Sequence, residues 1–237
     1  MFEGFSKSTF EFFSAISFNN NREFFLQNHD WYVQSVREPA RALAAALGDS
    51  VNELDPSLER RPEKVVSRLN RDVRFSKDKS PYRDYVWLAF RRPGVERATT
   101  MGVFFDVGLD GCRYGMGYYS ENKPVMNALR REILHAPEHV QQVTERALER
   151  FRLETNAYKR MAIPPDVPDS LRSWYNLKGF YVVKDITDYD LIYSPKLADE
   201  VADGFRHLKQ LYDFILTLPL AEEDLLTGDK TRLMERG

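Results

Sequence analysis

MGVFFDVGLDGCRYGMGYY, residues 101–119, places two runs of alternating side chains on either side of Asp110-Gly111, and this pattern decides the fold class. Alternation sends successive side chains to opposite faces of a strand, and an Asp-Gly pair between two such runs predicts a two-residue hairpin turn. With Leu109 paired to Cys112, one face collects Met101, Val103, Phe105, Val107, Leu109, Cys112, Tyr114, Met116 and Tyr118. That face is apolar without a break and is expected in the core. The other face carries Gly102, Phe104, Asp106 and Gly108 beside Arg113, Gly115, Gly117 and Tyr119. Its glycines leave backbone open to close approach. Two arrangements fit: a closely packed helix with Phe104 over Gly117, or a pocket floor edged by the cross-strand pair Asp106 and Arg113.

Outward from the hairpin, residues 84–90 (DYVWLAF) and 179–186 (GFYVVKDI) read as further strands, with the loop IPPDVP at 163–168 between helical stretches. Before the sheet, Phe10, Phe13 and Ile16 suggest a short helix. Asn20 and Glu23 have capping-box spacing for a second one. A longer helix from about Asp30 carries Val36, Leu43 and Leu47, with a kink or break at Pro39. After the sheet, helical spacing links Val125, Leu129 and Ile133, then Val140, Val143, Ala147 and Phe151, then Leu197, Val201, Phe205, Leu208 and Ile215. Ser194-Pro195 suits the opening of the last helix. Helices before and after an antiparallel sheet, with no strict alternation, mean an α+β fold with the helices packed on the sheet. The expected organisation is a single domain over 1–237: a helical part at 1–50, the sheet at 65–120, helices with one further strand at 121–220, and a loosely ordered tail at 221–237.

The chain's 237 residues, 43% of them hydrophobic, suffice for a sizeable core. No apolar run is long enough to span a bilayer, and the N-terminal MFEGFSKSTFEFF has no secretory-signal pattern, so a cytoplasmic location is expected. One cysteine, Cys112, leaves no internal disulfide and no multi-cysteine zinc site. His135 and His139 lie four apart, but Pro137 between them begins a new helix, and a third ligand is missing. No metal and no cofactor are expected. Phosphate-loop, dinucleotide and serine-elbow motifs are absent.

Charge is uneven. Residues 68–92 hold eight Lys/Arg against three Asp/Glu, while the remainder holds 26 basic and 33 acidic residues. A confined positive patch on an acidic body argues against a nucleic-acid partner and favours a small anionic ligand. Residues 65–74 suit a strand or, with Val65, Leu69 and Val73 four apart, a helix; the strand is preferred, and its end and following loop gather Arg71, Arg74, Lys77 and Lys79. Asp72 would orient an arginine, and Phe75, Pro81 and Tyr82 would anchor the loop. Arginine offers planar bidentate bonds and lysine a mobile point charge. Arg71 shares a face with Leu69 and Val73, so partial burial and a bound partner are expected of it.

The segments Asn19-Asn20-Asn21-Arg22-Glu23-Phe24-Phe25 and Arg68 through Tyr82 (RLNRDVRFSKDKSPY) resemble the uncharacterised bacterial proteins of domain-of-unknown-function family 2461. Looser similarity runs through the hairpin and Leu177-Lys178-Gly179-Phe180 to the last helix. Phe24 stands where that family usually has tryptophan. The resemblance implies a single cytoplasmic α+β domain and brings no activity with it. The resulting expectation is an anion site of Arg71, Asp72, Arg74, Lys77, Lys79 and Tyr82, with Lys178 from the later strand, for a phosphorylated metabolite or nucleotide. Asp72 and Asp78 are the only nearby acid–base candidates for an enzymatic role. The alternatives are docking of an acidic protein partner, or a structural charge network in which Glu23 or Asp106 pairs with Arg71.

Overall fold

A computed structural model describes residues 1–74, 76–95, 100–222 and 224. Helices α1 (Lys7–Phe18), α2 (Arg22–Gln27), α3 (His29–Tyr32), α4 (Glu38–Ala46), α5 (Gly48–Leu54) and α6 (Pro62–Val65) precede strands β1 (Tyr85–Arg91), β2 (Met101–Gly108) and β3 (Gly111–Tyr118). Then come α7 (Lys123–His135), α8 (Pro137–Leu148), β4 (Arg152–Ala157), α9 (Arg172–Tyr175), β5 (Leu177–Ile186), α10 (Tyr189–Ile192) and α11 (Lys196–Thr217). The strands form one sheet in the order β1-β2-β3-β5-β4, so the fold is α+β around the expected hairpin. By contacts the chain divides into two compact units. One comprises Met1–Pro93, Gly102–Gly115 and Lys184–Arg206; the other comprises Gly94–Met101, Met116–Val183 and His207–Gly237.

The hairpin's inward face is the one read from the alternation. Met101, Val103, Phe105, Val107, Cys112, Tyr114, Met116 and Tyr118 are all buried, while Leu109 is 39% exposed. The difference at Leu109 comes from the turn, which closes over Leu109 and Asp110. A mirror-image turn on Asp110-Gly111 needs positive φ at both residues, and among the described residues no non-glycine has positive φ. Gly111 instead takes φ 111° as the first residue of β3, where a Cβ would lie 2.5 Å from the Ile186 carbonyl oxygen.

In the first unit, Phe5 stacks on Phe105 at 6.0 Å, and Phe205 of α11 meets Phe90 and Tyr114 edge-on at 6.4 and 6.0 Å. Gly204 permits that seat, because a Cβ there would stand 2.3 Å from the Tyr114 ring. The Tyr114 hydroxyl donates to Glu200 at 2.8 Å, and the same carboxylate accepts from Lys184 at 2.6 Å. At the N-terminus, Pro39 does not break the helical path; a π turn, Val33–Arg37, carries the chain into α4. Proline has no N–H for the Ser35 carbonyl four residues back, and the Thr9 hydroxyl of α1 donates to that carbonyl at 2.6 Å.

The second unit has its own apolar centre, with Trp174 and Tyr118 edge-on to Phe180 at 5.3 and 6.1 Å. The buried Arg130 donates to the carbonyls of Tyr175 (2.8 Å) and Leu177 and to Asn127 (2.7 Å), fastening α7 to the entry of β5. Burial holds the Arg130 guanidinium below its ordinary pKa. Strand β4, which no sequence signal announces, pairs antiparallel with β5. Its RLETNA is mostly exposed and carries no apolar alternation, as befits an edge strand.

Two local readings need correction. Residues 65–74 do not form a strand: α6 ends at Val65, and beyond it the chain makes only single bridges, Val66 to Leu88 and Asn70 to Tyr82. Past Arg71 the backbone is drawn to nearby carboxylates. Asp72 accepts from the Arg74 N–H at 3.2 Å and Asp78 from the Ser80 N–H at 2.9 Å, short-range bonds that compete with a ladder. The second helix is capped by Asn21, whose side chain accepts from the Phe24 N–H at 2.9 Å, and not by Asn20.

Candidate functional site

Asn20 is free of capping because it holds a residue far along the chain. Its side-chain amide donates to the Tyr82 carbonyl at 2.9 Å and accepts from the Tyr82 N–H at 3.0 Å, so one side chain satisfies both backbone groups. Tyr82 is 5% exposed and its ring stacks on Phe25 at 4.4 Å, and Phe25 in turn leans on Tyr32 at 5.5 Å. The two segments quoted above for the family resemblance therefore meet at Tyr82. Backbone bonds from Arg71 N–H to Pro81 (2.9 Å) and from Arg83 N–H to Leu69 (2.9 Å) close the other side of the same crossing.

Beside this crossing lies a mostly polar cleft of about 370 Å³, with Ser17 and Asn20 on one side and Arg71, Asp78, Ser80 and the run Tyr82 to Tyr85 on the other. Arg71, with its side chain 28% exposed, donates one terminal N–H to Asp78. Its other guanidinium N–H groups have no bond among the described residues. Asp78 also accepts from Ser80, and these bonds, those of Ser80 foremost, hold its carboxyl far below the usual range. Arg83, which the sequence reading passed over, donates to the carbonyls of Arg68 (3.1 Å) and Asn70. Its guanidinium carbon lies 4.6 Å from the centre of the Trp87 ring. No acidic group pairs with Arg83 among the described residues. Its phase could have pointed to it, since residues 83, 85 and 87 alternate onto one side of an extended chain.

The other expected site residues are placed differently. Asp72 and Arg74 form an exposed forked pair, with N–O distances of 2.9 and 2.6 Å, and hydrogen bonds from Arg74 lower the Asp72 carboxyl to about 2. Lys79 donates to the Val73 carbonyl at 3.0 Å. Lys77 has no ion pair among the described residues, and Phe75 lies outside them. Lys178 belongs to the second unit, where its ammonium meets Glu121 at 3.1 Å and the Tyr158 ring at 5.3 Å. Neither partner suggested for Arg71 in a network is used: Glu23 accepts from Gln27 at 3.3 Å, and Asp106 from Arg113 at 2.9 Å.

Cys112 is buried, and burial first, then the Asp106 charge, push its thiol up. His139 packs edge-on against Phe214 at 5.5 Å. Among the described residues no three His, Cys, Asp or Glu side chains are placed to hold a metal ion. No helix among them is long and apolar enough to cross a membrane.

Residues 8–214 match the model of a family described as conserved hypothetical protein (DUF2461). No curated protein matches the chain.

Proposed function

The chain belongs to the DUF2461 family, and we propose that it binds a small anionic ligand, a phosphorylated metabolite or nucleotide, in the cleft beside Tyr82. The observation that carries this reading is Arg83. It is a cation fixed by two carbonyls and an aromatic face, it lines the cleft, and no acid neutralises it among the described residues. Arg71 faces the same space with guanidinium N–H groups to spare, and charge-assisted bonds from two arginines suit a phosphate or carboxylate. Relative to the sequence expectation, the proposed site loses Asp72, Arg74, Lys79 and Lys178 to local partners and gains Arg83.

Hydrogen bonds hold the Asp72 carboxyl at about 2 and keep Asp78 well below the usual range, so neither is a good proton acceptor near neutral pH. We place this role in the cytoplasm, on the single cysteine. A second reading, that the segment's charges are a structural network, draws on the Asp72–Arg74 fork and the Lys79 bond to Val73.

A thermal-shift screen of inorganic phosphate, pyrophosphate, sugar phosphates, dicarboxylates and nucleotides at fixed salt separates the two. A ligand at a hundred times its Kd should stabilise the fold by about 2.7 kcal/mol. Arg71→Ala should weaken that ligand by about 1.5–3 kcal/mol, the range for hydrogen bonds to charged groups. A variant that melts far lower while no compound shifts the wild type would favour the network.

A further inference from the structure

The same cleft holds groups that an anion does not need. Tyr85 lines it with 43% of its surface exposed, and its ring lies 5.9 Å from that of Trp87 at an interplanar angle of 36°. Trp87 thereby backs both Tyr85 and the Arg83 guanidinium. Its backbone is fixed at the sheet edge by Ser67, whose hydroxyl accepts from the Trp87 N–H at 3.0 Å and whose N–H donates to the Trp87 carbonyl at 2.8 Å. Opposite Tyr85 in the register stands Gly108, where a Cβ would lie 2.9 Å from the Tyr85 Cβ. One glycine of the open hairpin face thus makes room for the tyrosine at the rim of the cleft.

Asp84 is the second surplus group. It lines the cleft and makes no hydrogen bond or ion pair among the described residues. A carboxylate there repels phosphate but accepts hydrogen bonds from hydroxyl groups. Resting on the proposed anion site, we infer that its ligand is a ribonucleotide. Arg71 and Arg83 take the phosphate, the exposed face of Tyr85 takes the base, and Asp84 takes the ribose hydroxyls. The volume of about 370 Å³ falls in the usual range for small-molecule sites. An aliphatic phosphorylated metabolite would leave Tyr85 without a partner.

The test is equilibrium binding to the full chain of AMP, GMP, CMP, UMP, their 2′-deoxy forms, ribose 5-phosphate and inorganic phosphate, using wild type, Tyr85→Ala, Tyr85→Phe and Asp84→Asn. At least one mononucleotide should bind tenfold or more tighter than ribose 5-phosphate. Tyr85→Ala should erase that preference and Tyr85→Phe keep it, since stacking on an aromatic ring contributes a factor of roughly 5 to 150 per base. Asp84→Asn should shrink the preference for ribose over deoxyribose. If ribose 5-phosphate binds as tightly as every mononucleotide, the ribonucleotide assignment falls while the anion site stands. If no phosphate-bearing compound binds, both fall.

Discussion

The hairpin of residues 101–119 and the basic segment of residues 68–85 are held by different forces. The hairpin keeps its place by burying Phe105, Val107, Tyr114 and Met116, each 0% exposed, against residues distant in the chain. The basic segment places few side chains in the core. Leu69 and Tyr82 anchor it, Asn20 clamps it, and its remaining bonds run mostly between residues two to seven apart. The first arrangement makes the hairpin a source of stability. The second leaves exposed charge beside a cleft, which suits recognition.

That contrast can be broken most sharply at Phe105. Phe105→Ala should destabilise the fold by about 3–5 kcal/mol in urea unfolding, the range for emptying a large aromatic site. Leu109→Ala, on the same strand face but exposed at the turn, should change stability by less than about 0.5 kcal/mol. Equal effects would mean that the alternation, and not the turn, governs Leu109.

Asn20→Ala comes next. It strips the partners from the Tyr82 N–H and carbonyl, and should cost about 1–3 kcal/mol, the penalty for orphaned buried polar groups. The aromatic signals of Tyr82 and Phe25 should move with it. A variant as stable as the wild type would show that the aromatic stack alone seats the segment.

The smallest effect is expected at the Asp72–Arg74 fork. Hydrogen bonds from Arg74 depress the Asp72 carboxyl from 3.8 to about 2. Any stability from the pair is therefore present above pH 3.8 and lost as pH falls through about 2. Arg74→Ala should leave the urea midpoint at pH 7 unchanged while the Asp72 titration, followed by NMR, moves up toward 3.8. A lower midpoint at pH 7 would make the fork structural after all.

The same two regions show what a sequence can carry. Strand faces follow from period alone, so the buried side of the hairpin, β1, β5 and the faces of α7, α8 and α11 were legible. The proposed anion site was legible only as charge. Which cation keeps free N–H groups depends on distances between residues such as Arg71 and Asp78, and no spacing rule encodes them. Asn20 illustrates the limit: adjacent asparagines at 19, 20 and 21 all suit a cap, and only the position of Tyr82 assigns the clamp to one of them. Strand β4 was missed because an edge strand can be polar on both sides.

The proposed site stands or falls on anion recognition by Arg71 and Arg83 in the cleft at Tyr82. Its most direct test is isothermal titration of the tightest-binding phosphate compound from the panel into wild type and Arg83→Gln at one salt concentration. The expected result is at least a tenfold loss of affinity with the melting temperature held near that of the wild type. Equal affinity in the variant, or no binding by any phosphate compound to the wild type, would contradict it.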